Sequence, residues 1–328
     1  MPQLSVIIPN YNKAEYIAQT LQSLISQSFS NWEALVVDDG STDGSQNIIT
    51  QFSANDPRIK FIQRQTLPRG GSACRNIGIA NSSGKYMMFF DSDDVMAPAC
   101  LQQRFNMMQQ RSHLDFAVFP VGTFINVVGD NKMVWTPRKR NHLKAFLRHS
   151  LPWNIMSPIW KTEFVKEQLK GFDPLFPRLQ DVEFHTCALL CSGVKYRTVR
   201  SVKPECFYRI NEQRSNLNYF QMLENMLAGI ELYISKFEKI ISKRSLKRNL
   251  RGTFFSFLTQ INYYKAVNSI TLLDYRVMLD CIDSIVIKSK VFSEKDWNRI
   301  SHYNRLYQKG WWRIKGFNWL SKSIFIWM

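Results

Sequence analysis

Short apolar runs alternate with helix-like stretches over the first 95 residues, and this alternation constrains the possible folds more than any other feature of the chain. The runs occupy residues 5–9, 34–37, 59–62 and 86–90. They are short and rich in β-branched or aromatic side chains, as buried strands are. Between them apolar residues recur at helical spacing, for example Ile17, Leu21 and Leu24. Strands that alternate with helices predict a parallel sheet, whose ligands bind at the carboxyl ends of the strands.

Carboxylates are concentrated where the fourth apolar run ends. Asp91, Asp93 and Asp94 follow this run directly, and like charges this close repel one another unless a cation lies among them. Mg²⁺ usually takes one or two protein carboxylates and completes its shell with water and substrate phosphates. The segment Asp91-Ser92-Asp93 therefore predicts a site for a metal ion and a diphosphate, with Asp94 supporting the ligands. A solvated acidic turn is the alternative.

Two other strand ends carry polar residues that would share this edge. Tyr11 follows the first run, and Asp38 and Asp39 follow the second. Arg75 lies in a predicted helix that begins beside Gly70-Gly71, where backbone N–H groups and the helix dipole also favour anions. Each has an alternative: an ordinary loop aromatic for the tyrosine, a helix cap for either aspartate and a surface ion pair for the arginine. We expect all of them around one crevice.

Four motifs, in this order and at these spacings, resemble the amino-terminal half of a family 2 glycosyltransferase, the inverting type with a nucleotide-sugar-binding fold. The motifs are SVIIPNYN, VVDDGSTDGS, GGSACRNIGIANSSGKY and FFDSDD. The resemblance runs from Leu4 to about Met96 without a gap and more loosely to about Ser215. It implies an α/β fold of the GT-A type, with a mostly parallel central sheet flanked by helices; long segments with apolar residues at helical spacing from about Asn216 onward predict a C-terminal helical extension. The expected parts are a nucleotide-sugar-binding half (1–112), an acceptor-binding half of the same catalytic domain (113–215) and a basic helical extension with an aromatic tail (216–328).

The resemblance also implies roles for the residues at the strand ends. In such enzymes the Pro-x-Tyr segment after the first strand lies against the nucleotide base, which here means Pro9 and Tyr11. An aspartate after the second strand contacts the base, which here means Asp39, with Asp38 as its neighbour. These four residues would bind the base.

Three further roles concern the diphosphate. The resemblance implies that Asp91 and Asp93 hold Mn²⁺ or Mg²⁺ against it, and that Arg75 is the basic residue near it. A metal and an arginine in these places would stabilise the departing nucleoside diphosphate electrostatically.

A second acidic segment is similar to the part of the family that supplies the catalytic base. Residues 172–176 and 179–184 resemble the pattern F-D-x-x-F…E-D-x-x-F, in which the final Asp deprotonates the acceptor hydroxyl, and Asp181 occupies that position. A helix N-cap is the alternative for Asp181, although one carboxylate can serve both purposes. The chain departs from the pattern twice, with Gln180 in place of the usual Glu and Asn211 where relatives often have His.

Basic residues are distributed unevenly along the chain. Of 43 Lys and Arg and 26 Asp and Glu, residues 1–110 hold eight and nine, so the net charge of +17 arises after residue 110. A uniform basic coat would suit nucleic acid, whereas this bias favours one basic face or tail. We therefore expect no nucleic-acid partner.

The terminal segment GWWRIKGFNWLSKSIFIWM combines tryptophans with basic residues around short apolar stretches. That composition is typical of a helix lying in a membrane interface, where attraction to an anionic leaflet is worth about 1 kcal/mol per nearby basic residue. It predicts peripheral contact with an anionic membrane, and packing on the body or a homodimer contact is the alternative. Without a run of about 20 apolar residues or a leader, the expected location is cytoplasmic, on the inner face of the cell membrane.

Cysteine and histidine add little to the sequence argument. The six cysteines include no C-x-x-C pair and the five histidines show no ligand spacing. Reduced thiols in a cytosolic protein are expected, and His142 and His149 are interpreted as surface residues.

Together these features predict a metal-dependent, inverting glycosyltransferase of the hexosyltransferase type. It would move a sugar from a nucleotide-diphospho-sugar, with UDP the expected nucleotide, to a hydroxyl of a glycan or polyprenyl-linked saccharide during surface polysaccharide or capsule biosynthesis. Two alternatives stay open. A sugar nucleotidyltransferase would need a glycine-rich, basic loop after the first strand, and a non-catalytic module would bind nucleotide-sugars or polyanions without turnover.

Overall fold

The computed structural model describes residues 1–210 and 218–311. Asn211 and the terminal segment 312–328 lie outside the described residues. Two compact units are present: residues 1–142, 151–175 and 184–210 belong to the first, and residues 143–150, 176–183 and 218–311 belong to the second. Two short segments of the predicted acceptor-binding half thus belong to the second unit.

The first unit is built around a seven-stranded sheet with strand order β10-β6-β9-β4-β1-β2-β3. Its strands are β1 (Leu4–Asn10), β2 (Trp32–Asp38), β3 (Ile59–Gln63), β4 (Tyr86–Phe89), β6 (Phe116–Val118), β9 (Pro158–Lys161) and β10 (Tyr196–Thr198). All neighbouring pairs are parallel except the two that involve β9. The predicted α/β fold with a mostly parallel sheet is confirmed, and each of the four predicted strands is present.

Helices connect these strands, and a smaller sheet completes the first unit. The helices are α1 (Ile17–Ile25), α2 (Ser45–Asn55), α3 (Gly71–Asn81), α4 (Cys100–Gln110), α5 (His142–Leu147) and α6 (Gln180–Leu190), with α5 and α6 each running into the second unit, and a π-helical turn covers Phe164–Leu169. The smaller sheet has the order β5-β11-β7-β8 and contains β5 (Val95–Met96), β7 (Val121–Phe124), β8 (Val134–Trp135) and β11 (Cys206–Arg209).

The centre of the large sheet is buried on both faces, which is why its strands read as nearly continuous apolar runs. Every residue of β2 and β4 is buried. Helix α3 packs directly on β1, because a Cβ added at Gly78 would lie 2.4 Å from Cγ2 of Ile7. A side chain at this position would push the helix off the sheet.

Parallel register aligns the strand ends that carry the polar residues. Asn10 at the end of β1 is paired with Asp38 at the end of β2, and Ile7 is paired with Phe89 at the end of β4. The segments that follow β1, β2 and β4 therefore leave the sheet at one edge, as the sequence predicted.

The described part of the second unit is largely helical, as expected for the C-terminal extension. Its long helices are α7 (Tyr219–Phe237), α8 (Lys243–Ala266), α9 (Leu272–Ser289) and α10 (Glu294–Gln308). A capping box of Thr271 and Asp274 begins α9. Asn262 of α8 accepts a hydrogen bond from the Tyr275 hydroxyl (2.8 Å) and donates one to Asn304 (2.7 Å), so a buried polar network joins three helices. Within residues 1–210 and 218–311, none of the helices has the length and apolar character needed to cross a bilayer.

Two histidines contradict the expectation that they lie on the surface. His142 is buried and contacts the Tyr196 hydroxyl and the carbonyl of Arg138. His149 is half-buried in the second unit with both ring nitrogens enclosed, and its ring meets the Tyr233 ring edge to face, with centroids 4.7 Å apart. A neutral imidazole can pack among aromatic rings, and no spacing in the sequence reveals that environment.

His149 should make the stability of the protein pH-dependent. Burial lowers its pKa from 6.5 to about 3, and neither ring nitrogen has a hydrogen-bond partner among the described residues. Between these values the unfolded chain binds the proton and the folded chain does not, so the free energy of unfolding falls as pH falls below 6.5. We expect His149→Phe to flatten this dependence by up to about 1.4 kcal/mol per pH unit in denaturant titrations.

The matched control for this prediction is the exposed His113. The variant His113→Gln should keep the slope of the parent protein. Equal slopes for His149→Phe and the parent would contradict the assignment.

Candidate active site

A cavity of about 270 Å³ opens at the edge where β1, β2 and β4 end. Five residues predicted from the sequence line it, namely Pro9, Tyr11, Asp39, Asp91 and Asp93. The prediction that these strand ends meet at one crevice is thereby confirmed. Tyr11 is 55% exposed, so its ring is available to a ligand.

Asp38 is a structural part of the loop that follows β2. Its Oδ1 accepts hydrogen bonds from the backbone N–H groups of Gly40 (3.0 Å) and Ser41 (2.8 Å). Its Oδ2 accepts from Asn10 (2.8 Å) and from the Ser41 hydroxyl (2.5 Å). The side chain is buried, and these bonds hold the loop after β2 against the end of β1. Its predicted role beside the base-binding Asp39 stays a prediction.

Asp39 lines the cavity and is fixed by an ion pair with Arg64, which the sequence analysis missed. Its Oδ2 also accepts from the backbone N–H of Gly70 (2.8 Å). Gly70 has φ of 111°, a conformation that favours glycine, and it immediately precedes α3. Burial and the nearby Asp39 raise the pKa of the Cys74 thiol to about 12, so this cavity residue stays protonated at neutral pH.

Arg75 is not a lining residue of the cavity, but it forms an ion pair with Asp91, which is. A guanidinium nitrogen lies 2.7 Å from Oδ1 of Asp91, and the arginine side chain is only 8% exposed. The guanidinium also lies over the Phe172 ring, 5.4 Å from its centroid. Asn76 fixes that residue in turn through two backbone hydrogen bonds of 2.8 Å. The Phe172-Asp173 segment recognised in the sequence thus supports the predicted diphosphate arginine.

Asp93 is paired with Lys13, a second cation that the sequence analysis missed. The Lys13 Nζ lies 2.5 Å from Oδ2 of Asp93, and the two side chains are 31% and 23% exposed. Lys13 is anchored through its backbone N–H, which donates to the Ser45 hydroxyl (2.9 Å). The available signal was its place in the loop after β1, two residues beyond Tyr11.

Asp94 lies behind the cavity and is held by β11. Burial raises its pKa well above the usual range, and the charges of Asp91 and Asp93 add to the effect. Its Oδ1 accepts from the backbone N–H of Arg209 (2.8 Å), and the Arg209 side chain donates to the carbonyl of Asp93 (2.8 Å). The raised pKa disfavours a third full negative charge beside Asp91 and Asp93.

The donor set fits a divalent cation that retains other ligands. Among the residues that the structure describes, no group of three or more His, Cys, Asp or Glu is placed to hold a metal. Asp91 and Asp93 both line the cavity with partly exposed carboxylates. Two carboxylate ligands, with water and phosphate completing the shell, are typical of Mg²⁺ sites.

Asp181 lies in the second unit, in the first turn of α6, and is half-buried. Glu183, two positions further along, is buried and forms an ion pair with Lys236 (2.7 Å). The role of Asp181 as the base stays a prediction, as does the effect of Gln180, whose side chain donates to the carbonyl of Phe176 (3.3 Å).

The fold and the crevice define a class: an α/β protein that binds its ligand at the carboxyl ends of parallel strands, beside clustered carboxylates. The family model for glycosyl transferase family 2 matches residues 5–165. A glycosyltransferase of Haemophilus influenzae, itself uncharacterised, is 31% identical over 226 residues, which are 67% of this chain and 84% of the relative. The chain belongs to glycosyl transferase family 2 and is a glycosyltransferase.

Three further comparisons bear on the fold and the function. The putative teichuronic acid biosynthesis glycosyltransferase TuaG of Bacillus subtilis is 37% identical over 111 residues, which are 34% of this chain and 44% of TuaG. The crystal structure of S. aureus TarS 1-349 in complex with UDP-GlcNAc has a TM-score of 0.63 at 21% identity, with 94% of this chain and 92% of TarS covered. The mannosyltransferase PcManGT from Pyrobaculum calidifontis, in complex with GDP-Man and Mn²⁺, has a TM-score of 0.52 at 15% identity, with 99% of this chain and 87% of PcManGT covered. The structural matches confirm the predicted GT-A type fold.

Removing the Lys13 charge should strengthen metal binding in the absence of nucleotide. The ammonium competes with a divalent cation for Asp93, and a partly exposed ion pair is worth about 0.2–1 kcal/mol. We expect Lys13→Gln to raise the affinity for Mn²⁺ about two- to fivefold, measured by electron paramagnetic resonance of free Mn²⁺.

Lys60→Gln is the matched control, because it removes the same charge from an ion pair with Glu33 (2.7 Å) that lies outside the cavity lining. This variant should leave the Mn²⁺ affinity unchanged. A weaker affinity in Lys13→Gln, or a change equal to that of the control, would contradict competition at Asp93.

Proposed function

We propose that the protein is a metal-dependent, inverting glycosyltransferase that moves a sugar from a UDP-sugar to a hydroxyl of a glycan or lipid-linked acceptor during surface polysaccharide biosynthesis. The observation that carries the proposal is the crevice itself, where Asp39, Asp91 and Asp93 line one cavity at the strand ends. TarS supports a UDP-linked donor, because it has the same fold and binds UDP-GlcNAc.

The nucleotide would lie between the loops that follow β1 and β2. The exposed ring of Tyr11 offers a surface on which a base can stack, and Asp39 offers acceptor oxygens to the N–H groups of the base. The ion pair with Arg64 and the bond from Gly70 fix the Asp39 carboxylate before any ligand arrives. A fixed acceptor loses little entropy on binding.

The diphosphate would lie over the two aspartates of the cavity. Asp91 and Asp93 would hold Mn²⁺ or Mg²⁺, and PcManGT, which has the same fold, is a precedent for Mn²⁺. A cation bound there would neutralise negative charge on the leaving group. Arg75 already points its guanidinium at Asp91, and Lys13 supplies an ammonium that can turn from Asp93 to a phosphate oxygen.

Asp181 is proposed as the base that accepts the proton of the acceptor hydroxyl. The resemblance of its segment to the family pattern supports this role, and so does its partial exposure. The neighbouring Glu183 is engaged by Lys236 (2.7 Å) and is the weaker candidate. Attack by the hydroxyl on the face opposite the leaving group then inverts the anomeric carbon, in a single displacement.

The acceptor is proposed to be membrane-held. TuaG, a relative of this chain, is named for teichuronic acid biosynthesis, and all of the net positive charge arises after residue 110. The sequence of the terminal segment, with its tryptophans and basic residues, suits the headgroup region of an anionic leaflet. Peripheral contact with the inner face of the membrane would keep the enzyme beside a polyprenyl-linked saccharide.

The test is turnover of UDP-sugars, starting with UDP-GlcNAc, by the parent protein and by Asp181→Asn in the presence of Mn²⁺. Loss of a positioned base typically lowers a rate about 10²–10⁴-fold, so kcat should fall by that factor. The affinity for UDP, measured by calorimetry, should stay within twofold of the parent, because the amide keeps the shape of the carboxylate and the nucleotide site is untouched. Chelation of the divalent metal should abolish turnover by the parent.

Asp173→Asn is the matched control, since Asp173 belongs to the same acidic region and accepts a bond from the Leu175 N–H (3.1 Å). Asp173→Asn should retain activity. A large fall of kcat in Asp173→Asn, together with an unchanged kcat in Asp181→Asn, would show that Asp173 is the base instead. UDP binding without turnover of any UDP-sugar would contradict the proposed function and favour a binding module. Release of pyrophosphate from a nucleoside triphosphate and a sugar phosphate would favour a nucleotidyltransferase.

Deletion of residues 311–328 tests the membrane contact. We expect the truncated protein to lose cosedimentation with anionic vesicles and activity on a lipid-linked acceptor, because interfacial tryptophans and basic residues drive such binding. Hydrolysis of the UDP-sugar should persist. Raised salt should mimic part of the deletion through screening. Equal loss of both activities together with a lower melting temperature would instead show that the segment packs on the body.

A further inference from the structure

Two cysteines and an arginine of the first unit form a buried cluster that is not part of the cavity lining. Cys100, the first residue of α4, and Cys206, the first residue of β11, bring their Sγ atoms to 3.3 Å of each other. Both thiols are fully buried, and Arg104 beside them is 1% exposed. The two cysteines are 106 positions apart, so the fold alone brings them together.

Arg104 lacks a carboxylate partner within the described parts of the chain. Its guanidinium donates to the carbonyl of Ser157 (2.5 Å), to Sγ of Cys100 (3.3 Å) and to Sγ of Cys206 (3.0 Å). It also lies over the Phe119 ring, 4.8 Å from its centroid. A buried guanidinium without a counter-charge costs several kcal/mol. One of the two sulfurs is the group that can supply that charge, as a thiolate.

Three features identify Cys100 as the thiolate. Its place as the first residue of α4 favours a negative charge, because the positive end of the helix dipole lies there. Burial alone would raise the pKa of its thiol, but the S–H of Cys206 and the guanidinium of Arg104 outweigh burial and lower that pKa to about 7. Burial and the neighbouring Cys100 raise the pKa of Cys206 well above the usual range. Of the two sulfurs, Cys100 is the one on which its neighbours favour the thiolate.

We propose that Cys100 and Cys206 form a buried dithiol site that a peroxide oxidises to an intramolecular disulfide, with Cys100 as the attacking thiolate. A lowered thiol pKa beside a cation and a resolving thiol within reach are two features that this pair shares with redox-active cysteines. The oxidant must be small, since both sulfurs are enclosed. Hydrogen peroxide meets that condition.

The reaction balances in two steps. The Cys100 thiolate attacks one oxygen of hydrogen peroxide, the S–O bond forms, the O–O bond breaks, and hydroxide leaves. The Cys206 sulfur then attacks the sulfenic acid, the S–S bond forms, and the hydroxyl leaves as water with the proton of Cys206. Peroxide is reduced to water and hydroxide, and two thiol-level sulfurs are oxidised to a disulfide.

The geometry favours the second step. The sulfurs need to approach by only about 1.3 Å to reach the S–S bond length of about 2.05 Å. Cys206 is paired in register with Met96 of β5. Met96 lies two residues beyond Asp94. The disulfide would therefore tie the start of α4 to the strand that also carries Arg209.

The experiment uses the full-length folded protein, reduced and freed of reductant, and then treated with hydrogen peroxide. Remaining thiols are alkylated under denaturing conditions, and the protein is digested without reduction for mass spectrometry. We expect one cross-link between the Cys100 and Cys206 peptides, lighter by two hydrogens than the sum of the reduced peptides and reversed by dithiothreitol. Absence of this cross-link, or its formation only in denaturant, would overturn the proposal.

Variants separate the attacking sulfur from the resolving sulfur. Cys206→Ser should leave a sulfenic acid on Cys100 that dimedone labels at least tenfold more than in the parent, because the resolving thiol is gone. Cys100→Ser should leave Cys206 unlabelled. Equal labelling in the two variants would contradict Cys100 as the thiolate. The control Cys187→Ser/Cys191→Ser changes Cys187 of α6 and Cys191, the residue that follows this helix, and should form the same cross-link as the parent.

Discussion

Carboxylates crowded at one edge of a parallel sheet are the constraint on which the rest of the site depends. The parallel register of β1, β2 and β4 places five aspartates at that edge: Asp38, Asp39, Asp91, Asp93 and Asp94. Each is compensated differently: by loop hydrogen bonds, by an ion pair with one of three cations, or by a raised pKa that favours the neutral form. The surrounding loops are arranged to supply these partners.

The cations at the cavity differ in how easily they can exchange. The side chain of Arg75 is 8% exposed and lies over a ring that Asn76 fixes, so its pairing with Asp91 is rigid. The side chain of Lys13 is 31% exposed on a flexible stem, so its pairing with Asp93 can yield. With one fixed and one exchangeable cation, the carboxylate charges of the site can stay compensated both with and without a bound metal.

Local periodicity allowed the sequence to predict the four strands, the shared edge and the cavity residues, because strand ends in a parallel sheet have few alternatives. It did not reveal Lys13 or Arg64, whose carboxylate partners lie 80 and 25 residues away and are selected by loop geometry. The histidine interpretation was wrong for His142 and His149, since burial among aromatic rings leaves no pattern in the sequence. The role of Asp181 stays a prediction because it rests on a motif that no contact at the crevice tests.

Asp93 and Asp94 are held by β11, a strand beyond the part of the chain that the family model matches. That match ends at residue 165. Arg209 of β11 binds the carboxyl of Asp94 through its backbone and the carbonyl of Asp93 through its side chain. The same guanidinium lies over the rings of Tyr16 and Phe124, at 4.6 and 4.3 Å, so aromatic packing holds it in place. A chain ending at residue 165 would retain every residue predicted to bind the nucleotide and the metal, yet it would lack Arg209, which binds the Asp94 carboxyl and the backbone carbonyl of Asp93.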